Sequence, residues 1–163
     1  MSLADLMQAA GLTHGGFYSH FRSKDALVAE AIAVTLAQSG QRLERWGAAS
    51  GRKRPLDAVI DNYLSVGHRN KPGIGCPLPT LGAEIARGSP AARDALTAEL
   101  KGFIAGIDRI AARSGARNRQ AAAMGVLSGI VGAMVLARAV SDGKRSDQIL
   151  ALTRRFLKAA LAK

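Results

Sequence analysis

The sequence predicts an all-α protein, and three observations carry that prediction. Apolar residues recur at helical spacing along most of the chain, as at Leu56, Val59, Ile60 and Tyr63. Residues that favour helix starts precede these stretches, and glycines or short polar breaks follow them. No segment of the 163 residues has the alternating pattern of a half-buried strand.

The chain begins with a pattern of two short helices and a turn. Ser2 is the predicted cap of the first helix, and Gly11 is placed where the chain must turn, because glycine tolerates a positive φ. Thr13 is the predicted cap of a second helix over residues 14–21, in which Phe17 and Phe21 are four apart and face inward. Two helices joined by a tight turn form a helix-turn-helix, whose second helix enters the DNA major groove.

The rest of the chain reads as a run of helices with short breaks. Ser23 and Ser89 are predicted caps, Pro55 suits a first helical position, and the Pro and Gly content of residues 71–77 predicts a loop. The predicted helices cover residues 26–46, 56–66, 80–87, 91–113 and 116–141, with a last helix capped by Ser146 that runs through residue 162.

Composition permits a nucleic-acid-binding protein without requiring one. The net charge of +11 attracts polyanions such as DNA. Residues 1–54 hold only seven of the 23 Lys and Arg side chains, so the charge is not concentrated at the turn, and a basic soluble protein explains it equally well. One cysteine excludes an intramolecular disulfide, and no signal-peptide pattern is visible, so we expect a cytoplasmic protein.

Four runs of residues in the N-terminal segment form a specific pattern: Ala9-Ala10-Gly11-Leu12-Thr13, Gly15-Gly16-Phe17-Tyr18-Ser19-His20-Phe21, Ser23-Lys24 and Ala26-Leu27. In these residues the segment resembles the DNA-binding region of TetR-family transcriptional repressors. The resemblance implies a partial helix-turn-helix domain over residues 1–25. It also implies a helical effector-binding and dimerisation domain over residues 26–163, which few motifs specify.

The resemblance also implies which residues meet DNA. Thr13, His14, Gly15, Gly16 and Tyr18 lie nearest the base edges, and Tyr18, His20 and Lys24 match positions that contact phosphates. Hydroxyl, imidazole and ammonium donors suit phosphate oxygens. The alternative is an ordinary helical hairpin with a solvated polar face.

One departure from the family concerns the start of the sequence. About 20 residues form a first helix before this point in the family, whereas this sequence starts at the threshold of the second helix. We therefore expect the 163-residue form to bind DNA more weakly than a longer form. The alternative function is a helical dimeric interaction or ligand-binding module whose DNA binding is impaired.

Family members bind a small effector among the helices that follow the DNA-binding domain. The pocket candidates are Trp46, Tyr63, His68, Cys76, Phe103 and Met124, each of which ordinary core packing also explains. Cys76 precedes a helix whose N-terminus could lower a thiol pKa, and its surroundings are similar to a TetR subgroup in which some members sense electrophiles. A buried, inert cysteine is the alternative.

The uncharged stretch from residue 121 to 137 suits a helix buried on most sides better than a membrane span. It falls short of about 20 residues and is rich in Ala and Gly. In the family, the last two helices of each subunit pair into a four-helix dimer interface. The interface candidates here are Gly125, Gly129, Gly132, Ala133, Ile149, Leu152 and Phe156.

An enzyme is the main competing class. His68 and Cys76 are eight residues apart with no evident third group to orient them, and no metal-ligand cluster or phosphate-binding loop is visible. We therefore expect no enzymatic activity, metal or cofactor. The sequence predicts a homodimeric DNA-binding regulator, a repressor released from its operator by a small-molecule effector.

Overall fold

The fold is all-α, as predicted. The computed structural model describes residues 3–162, with the side chains of His14 and Gly15 outside that description, and residues 3–162 contain no strand. The helices are α1 (Leu3–Ala9), α2 (His14–Phe17), α3 (Lys24–Ala48), α4 (Pro55–Tyr63), α5 (Val66–Arg69), α6 (Leu78–Arg87), α7 (Pro90–Arg113), α8 (Arg119–Ala139) and α9 (Gly143–Ala160), with a 3₁₀ turn at Pro72–Ile74.

The first two helices form a small N-terminal unit. Gly11 has φ +69° and makes the turn between them, in agreement with its predicted role. Met7 and Phe17 are buried, and the Phe17 and Phe21 rings stack with centroids 5.5 Å apart. These few apolar side chains are the core of the unit.

Four of the nine described α-helices, namely α2, α3, α4 and α7, start where the sequence predicts. Ser23 accepts a hydrogen bond from the Ala26 backbone N–H at 3.1 Å, Ser89 accepts one from Ala92 at 3.3 Å, and Pro55 occupies the first position of α4. The predicted cap at Ser2 lies outside the described residues.

Several local predictions were wrong. The predicted helix over residues 56–66 is broken after Tyr63, and the one predicted over residues 116–141 covers only Arg119–Ala139. Helix α2 ends at Phe17 rather than at residue 21, because the backbone tightens into a turn in which the His20 N–H donates to the Phe17 carbonyl; the two glycines of α2 also favour a short helix. Asp142, not Ser146, caps α9. Ser146 is buried one turn later, where its hydroxyl donates to the Ala137 carbonyl.

The body of the molecule is built around α3, α7 and α8. Helix α7 packs along α3 on one side and against α8 on another, and α9 packs on α8. Its core includes the fully buried side chains Val59, Ile60, Ile107, Ile110, Ile130 and Met134.

Helix α8 is long and apolar enough, by length and composition, to cross a membrane. Seven of its residues, among them Ile130 and Met134, are nevertheless buried against neighbouring helices. A core helix has the same composition. The predicted burial on most sides is not seen in the single subunit, because Met124, Val135 and Leu136 of α8 are exposed.

Candidate DNA-binding and effector sites

The segment Thr13–Phe21 has one apolar and one polar side. Thr13 Oγ1 accepts a hydrogen bond from the Gly16 backbone N–H at 3.2 Å, which fixes the start of α2. Phe17 is 1% exposed and meets Tyr18 edge-on, with ring centroids 5.2 Å apart. The segment is thus anchored by Phe17 while Tyr18, 61% exposed, remains at the surface.

The other residues expected to contact DNA lie in the same N-terminal segment or directly after it. Thr13, His20 and Lys24 are exposed, and Gly16 is half-buried. The structure does not describe the side chain of His14 or the burial of Gly15. The exposed set therefore comprises hydroxyl, imidazole and ammonium donors, the groups that phosphate oxygens accept from.

The predicted effector residues are divided among different places. Tyr63, Cys76 and Phe103 are buried, Trp46 and His68 are half-buried, and Met124 is 47% exposed on α8. Trp46 and His68 line a shallow pocket of about 240 Å³, whereas Phe103 lines a separate groove between α3 and α7. No described cavity brings all six residues together.

Three of these residues, Tyr63, His68 and Cys76, form one cluster. The Tyr63 and His68 rings meet edge-on with centroids 4.6 Å apart. The Cys76 backbone N–H donates to His68 Nε2 at 3.3 Å, so the proton on the ring is at Nδ1, which donates to the Tyr63 carbonyl at 2.7 Å. His68 thereby ties the loop before α6 to the end of α4.

Burial dominates the chemistry of Cys76. The residue is 2% exposed, and burial raises the pKa of its thiol, an effect that the nearby Tyr63 hydroxyl and Leu78 backbone N–H only partly oppose. A buried thiol with a raised pKa is poorly nucleophilic. The environment thus favours the inert alternative over the thiolate that sensing requires.

The half-buried, hydrogen-bonded His68 ring predicts that the protein becomes less stable at acid pH. Burial and the positive charges of Arg138 and Arg42 lower the pKa of His68, although its hydrogen bond to Tyr63 opposes the shift. As pH falls below about 6.5, His68 therefore takes up a proton in the unfolded chain before it does so in the folded chain. The free energy of unfolding decreases as a result.

Urea unfolding at pH 7.5, 6.5 and 5.5 tests this expectation. His68→Gln should flatten the decline between pH 6.5 and 5.5, whereas His20→Gln, which removes an exposed imidazole, should leave the decline in place. An equally steep decline in the His68→Gln variant would contradict the assignment.

Sequence reasoning missed a groove between α3, α6 and the start of α7. It encloses about 380 Å³ and is lined largely by apolar groups, with Asp25 and Glu84 among its residues. The other lining residues are Val28, Ala31, Ile32, Thr35, Leu81, Ile85, Gly88, Ser89 and Ala92. Residues 25 and 84 are far apart in sequence, and no motif signals that they line the same groove.

The predicted interface residues divide into two groups. Gly125 and Gly132 face open space, and Leu152 and Phe156 are 53% and 71% exposed. The second group, Gly129, Ala133 and Ile149, packs within the subunit; a Cβ added at Gly129 would lie 2.9 Å from Leu157 Cδ2.

The exposed apolar side chains of α8 and α9 define what we call the α8–α9 face. It consists of Met124, Val135, Leu136, Leu152 and Phe156, together with the open glycines Gly125 and Gly132. A groove of about 360 Å³ adjoins it, lined in part by Phe156 and Leu157. An apolar surface of this extent on one subunit is typical of an interaction site.

Within residues 3–162, no three His, Cys, Asp or Glu side chains are grouped so that they could hold a metal ion.

Comparisons with known proteins agree with this geometry. Residues 1–31 match the family model described as "Bacterial regulatory proteins, tetR family". The fold is similar to the crystal structure of the reduced form of E. coli NemR, with a TM-score of 0.77 and 23% identity over 98% of this chain and 85% of that chain. A search of curated protein sequences found no match.

Proposed function

We infer that this TetR-family regulator is a transcriptional repressor that binds its operator as a homodimer and leaves it when a small effector binds. The inference is supported by the match of residues 1–31 to the TetR family model and by the similarity of the all-helical fold to that of NemR. The observation that carries the inference is the segment Thr13–Phe21, anchored by a buried Phe17 with its polar residues exposed beside it.

In the proposed complex, the capped start of α2 approaches the base edges in the major groove. Tyr18, His20 and Lys24 donate to backbone phosphates, which orients the segment without reading sequence. The small residues Gly15 and Gly16 allow the backbone to come close to the bases. The net charge of +11 speeds the encounter with DNA without selecting a sequence.

The second copy in the proposed dimer covers the α8–α9 face. A homodimer interface is isologous, so each subunit presents the same patch, and Phe156 of each copy becomes buried against its partner. Dimerisation places two recognition segments on one operator. It also gives a function to an apolar face that lies in the C-terminal helices, far along the chain from the DNA-binding unit.

Effector release follows from linkage between two sites. Helix α3 begins directly after the recognition segment and extends for 25 residues into the body, so a ligand that displaces α3 also displaces the segment. Effector and operator then weaken each other's binding by the same factor.

Tyr18 provides the direct test of the DNA interface. Tyr18→Ala should weaken binding to a labelled fragment of the gene's upstream DNA by roughly tenfold, because a phosphate contact and an exposed ring are lost. Fluorescence anisotropy with an excess of scrambled competitor DNA measures the effect.

Val66→Ala is the matched control, since Val66 is exposed on the body and its truncation should leave DNA affinity within about twofold of the original. Equal DNA affinities for the original chain and Tyr18→Ala would contradict this interface. Clean dimers without specific DNA binding would favour the helical interaction module instead.

A further inference from the structure

We propose that the groove between α3, α6 and α7 is the effector site and that it accepts a lipophilic cation. The proposal rests on the proposed function, because it names the chemical class of the effector and a place for it. This place differs from the cluster around Tyr63, where the side chains fill the interior.

The size and lining of the groove suit a small organic molecule. Its volume of about 380 Å³ lies within the range of roughly 300–1,000 Å³ that ligand pockets occupy. Ile32, Ile85 and Ala92 are buried at its base, and Leu81, 45% exposed, borders it. A ligand with an apolar body would remove these groups from water.

Charge complementarity selects a cation. Two acidic residues, Asp25 and Glu84, line the groove, and no basic residue does. Among the described residues, neither carboxylate takes part in a hydrogen bond or an ion pair. In a chain of net charge +11, a groove lined only by acidic charge attracts the opposite kind of ligand from the rest of the surface.

The position of Glu84 strengthens this assignment. Glu84 lies in the last turn of α6 (Leu78–Arg87), where the carbonyl end of the helix carries partial negative charge. An acidic side chain there is unfavourable for the helix by itself, and a bound cation would relieve both negative charges. Asp25, in the first turn of α3, is favourably placed against the positive end of its own helix dipole.

The location of the groove connects it to DNA binding. Asp25, Val28, Ala31, Ile32 and Thr35 all belong to the first half of α3, the helix that begins at Lys24. A ligand bound between α3 and α6 therefore contacts the end of α3 that is joined to the recognition segment.

Titration calorimetry with tetraphenylphosphonium tests the proposal, with uncharged triphenylphosphine oxide as the comparator of similar shape. Tetraphenylphosphonium should bind one site per chain. Asp25 and Glu84 are both exposed, so D25N and E84Q should each weaken it by about fivefold, which corresponds to about 1 kcal/mol per carboxylate. Both variants should leave triphenylphosphine oxide binding within about twofold.

Two further variants localise the effect. Glu30→Gln removes an exposed carboxylate of α3 that does not line the groove, and should bind tetraphenylphosphonium like the original chain. Ala31→Phe fills the groove, and should weaken both probes while retaining both carboxylates. The absence of saturable tetraphenylphosphonium binding, or equal affinity in the D25N/E84Q double variant, would overturn the proposal.

Calorimetry is performed without DNA, so the cation site and the repressor function can fail separately. Operator binding without tetraphenylphosphonium binding would overturn the cation site and leave the repressor function standing. Tetraphenylphosphonium binding by a chain that binds no operator would support the cation site and contradict the repressor function.

Discussion

Phe156→Glu is expected to convert the proposed dimer into a monomer and to weaken operator binding by about 100-fold or more. Phe156 is 71% exposed in the single subunit, so its replacement costs the subunit core little. In the dimer, the new carboxylate would be buried against an apolar face without a partner, which is strongly unfavourable. A monomer also loses the simultaneous engagement of two half-sites, worth a factor of about 10²–10⁴.

Sedimentation velocity and anisotropy on the same samples measure both effects. Ala98→Glu provides a matched control, because it introduces the same charge at an exposed position of α7 outside the α8–α9 face. The control should remain dimeric with its operator affinity unchanged. A Phe156→Glu variant that stays dimeric would show that the second copy binds elsewhere.

Phe17→Ala is expected to weaken operator binding by roughly 100-fold or more while leaving the dimer intact. Truncating a buried Phe to Ala costs about 3–5 kcal/mol. Among the described residues of α1 and α2, Met7 is the one other large apolar residue that is buried. A unit with so small a core should lose its structure locally rather than unfold the whole chain. A local cost of about 3 kcal/mol weakens DNA binding by roughly 100-fold.

Hydrogen exchange separates this local loss from global unfolding. Amide protection in residues 3–21 should disappear in Phe17→Ala, while protection in α7 and α8 stays as in the original chain. Leu12→Ala, at a position already 53% exposed, is the control and should bind operator within about twofold of the original. Unchanged operator affinity for Phe17→Ala would mean that the unit does not present the DNA-binding surface.

Local signals explain how much of the fold the sequence could predict. The caps at Thr13, Ser23 and Ser89 lie where short-range hydrogen bonding requires them, and the first position of α4 follows from Pro55. Ser146 misled the prediction because Asp142, four residues earlier, supplies the same capping chemistry and Ser146 is used for a buried contact.

Tertiary contacts explain what the sequence could not predict. The small-residue spacing of Gly125 and Gly129 predicts a packing face, but only the structure shows that Gly129 meets Leu157 within the subunit while Gly125 faces outward. Similarly, Asp25 and Glu84 line the same groove only because α6 packs against α7 and α8 beside α3. The sequence instead predicts a pocket among aromatic and sulfur-containing residues, of which Tyr63 and Cys76 are buried in the core.

We propose that two copies of the segment Thr13–Phe21 bind one operator. DNase footprinting on the gene's upstream DNA tests it most directly. We expect two protected half-sites related by twofold symmetry, with centres about 34–36 Å apart along the helix or a multiple of that distance, and loss of both with Phe17→Ala. A single unsymmetrical protected segment, or protection that survives Phe17→Ala, would contradict it.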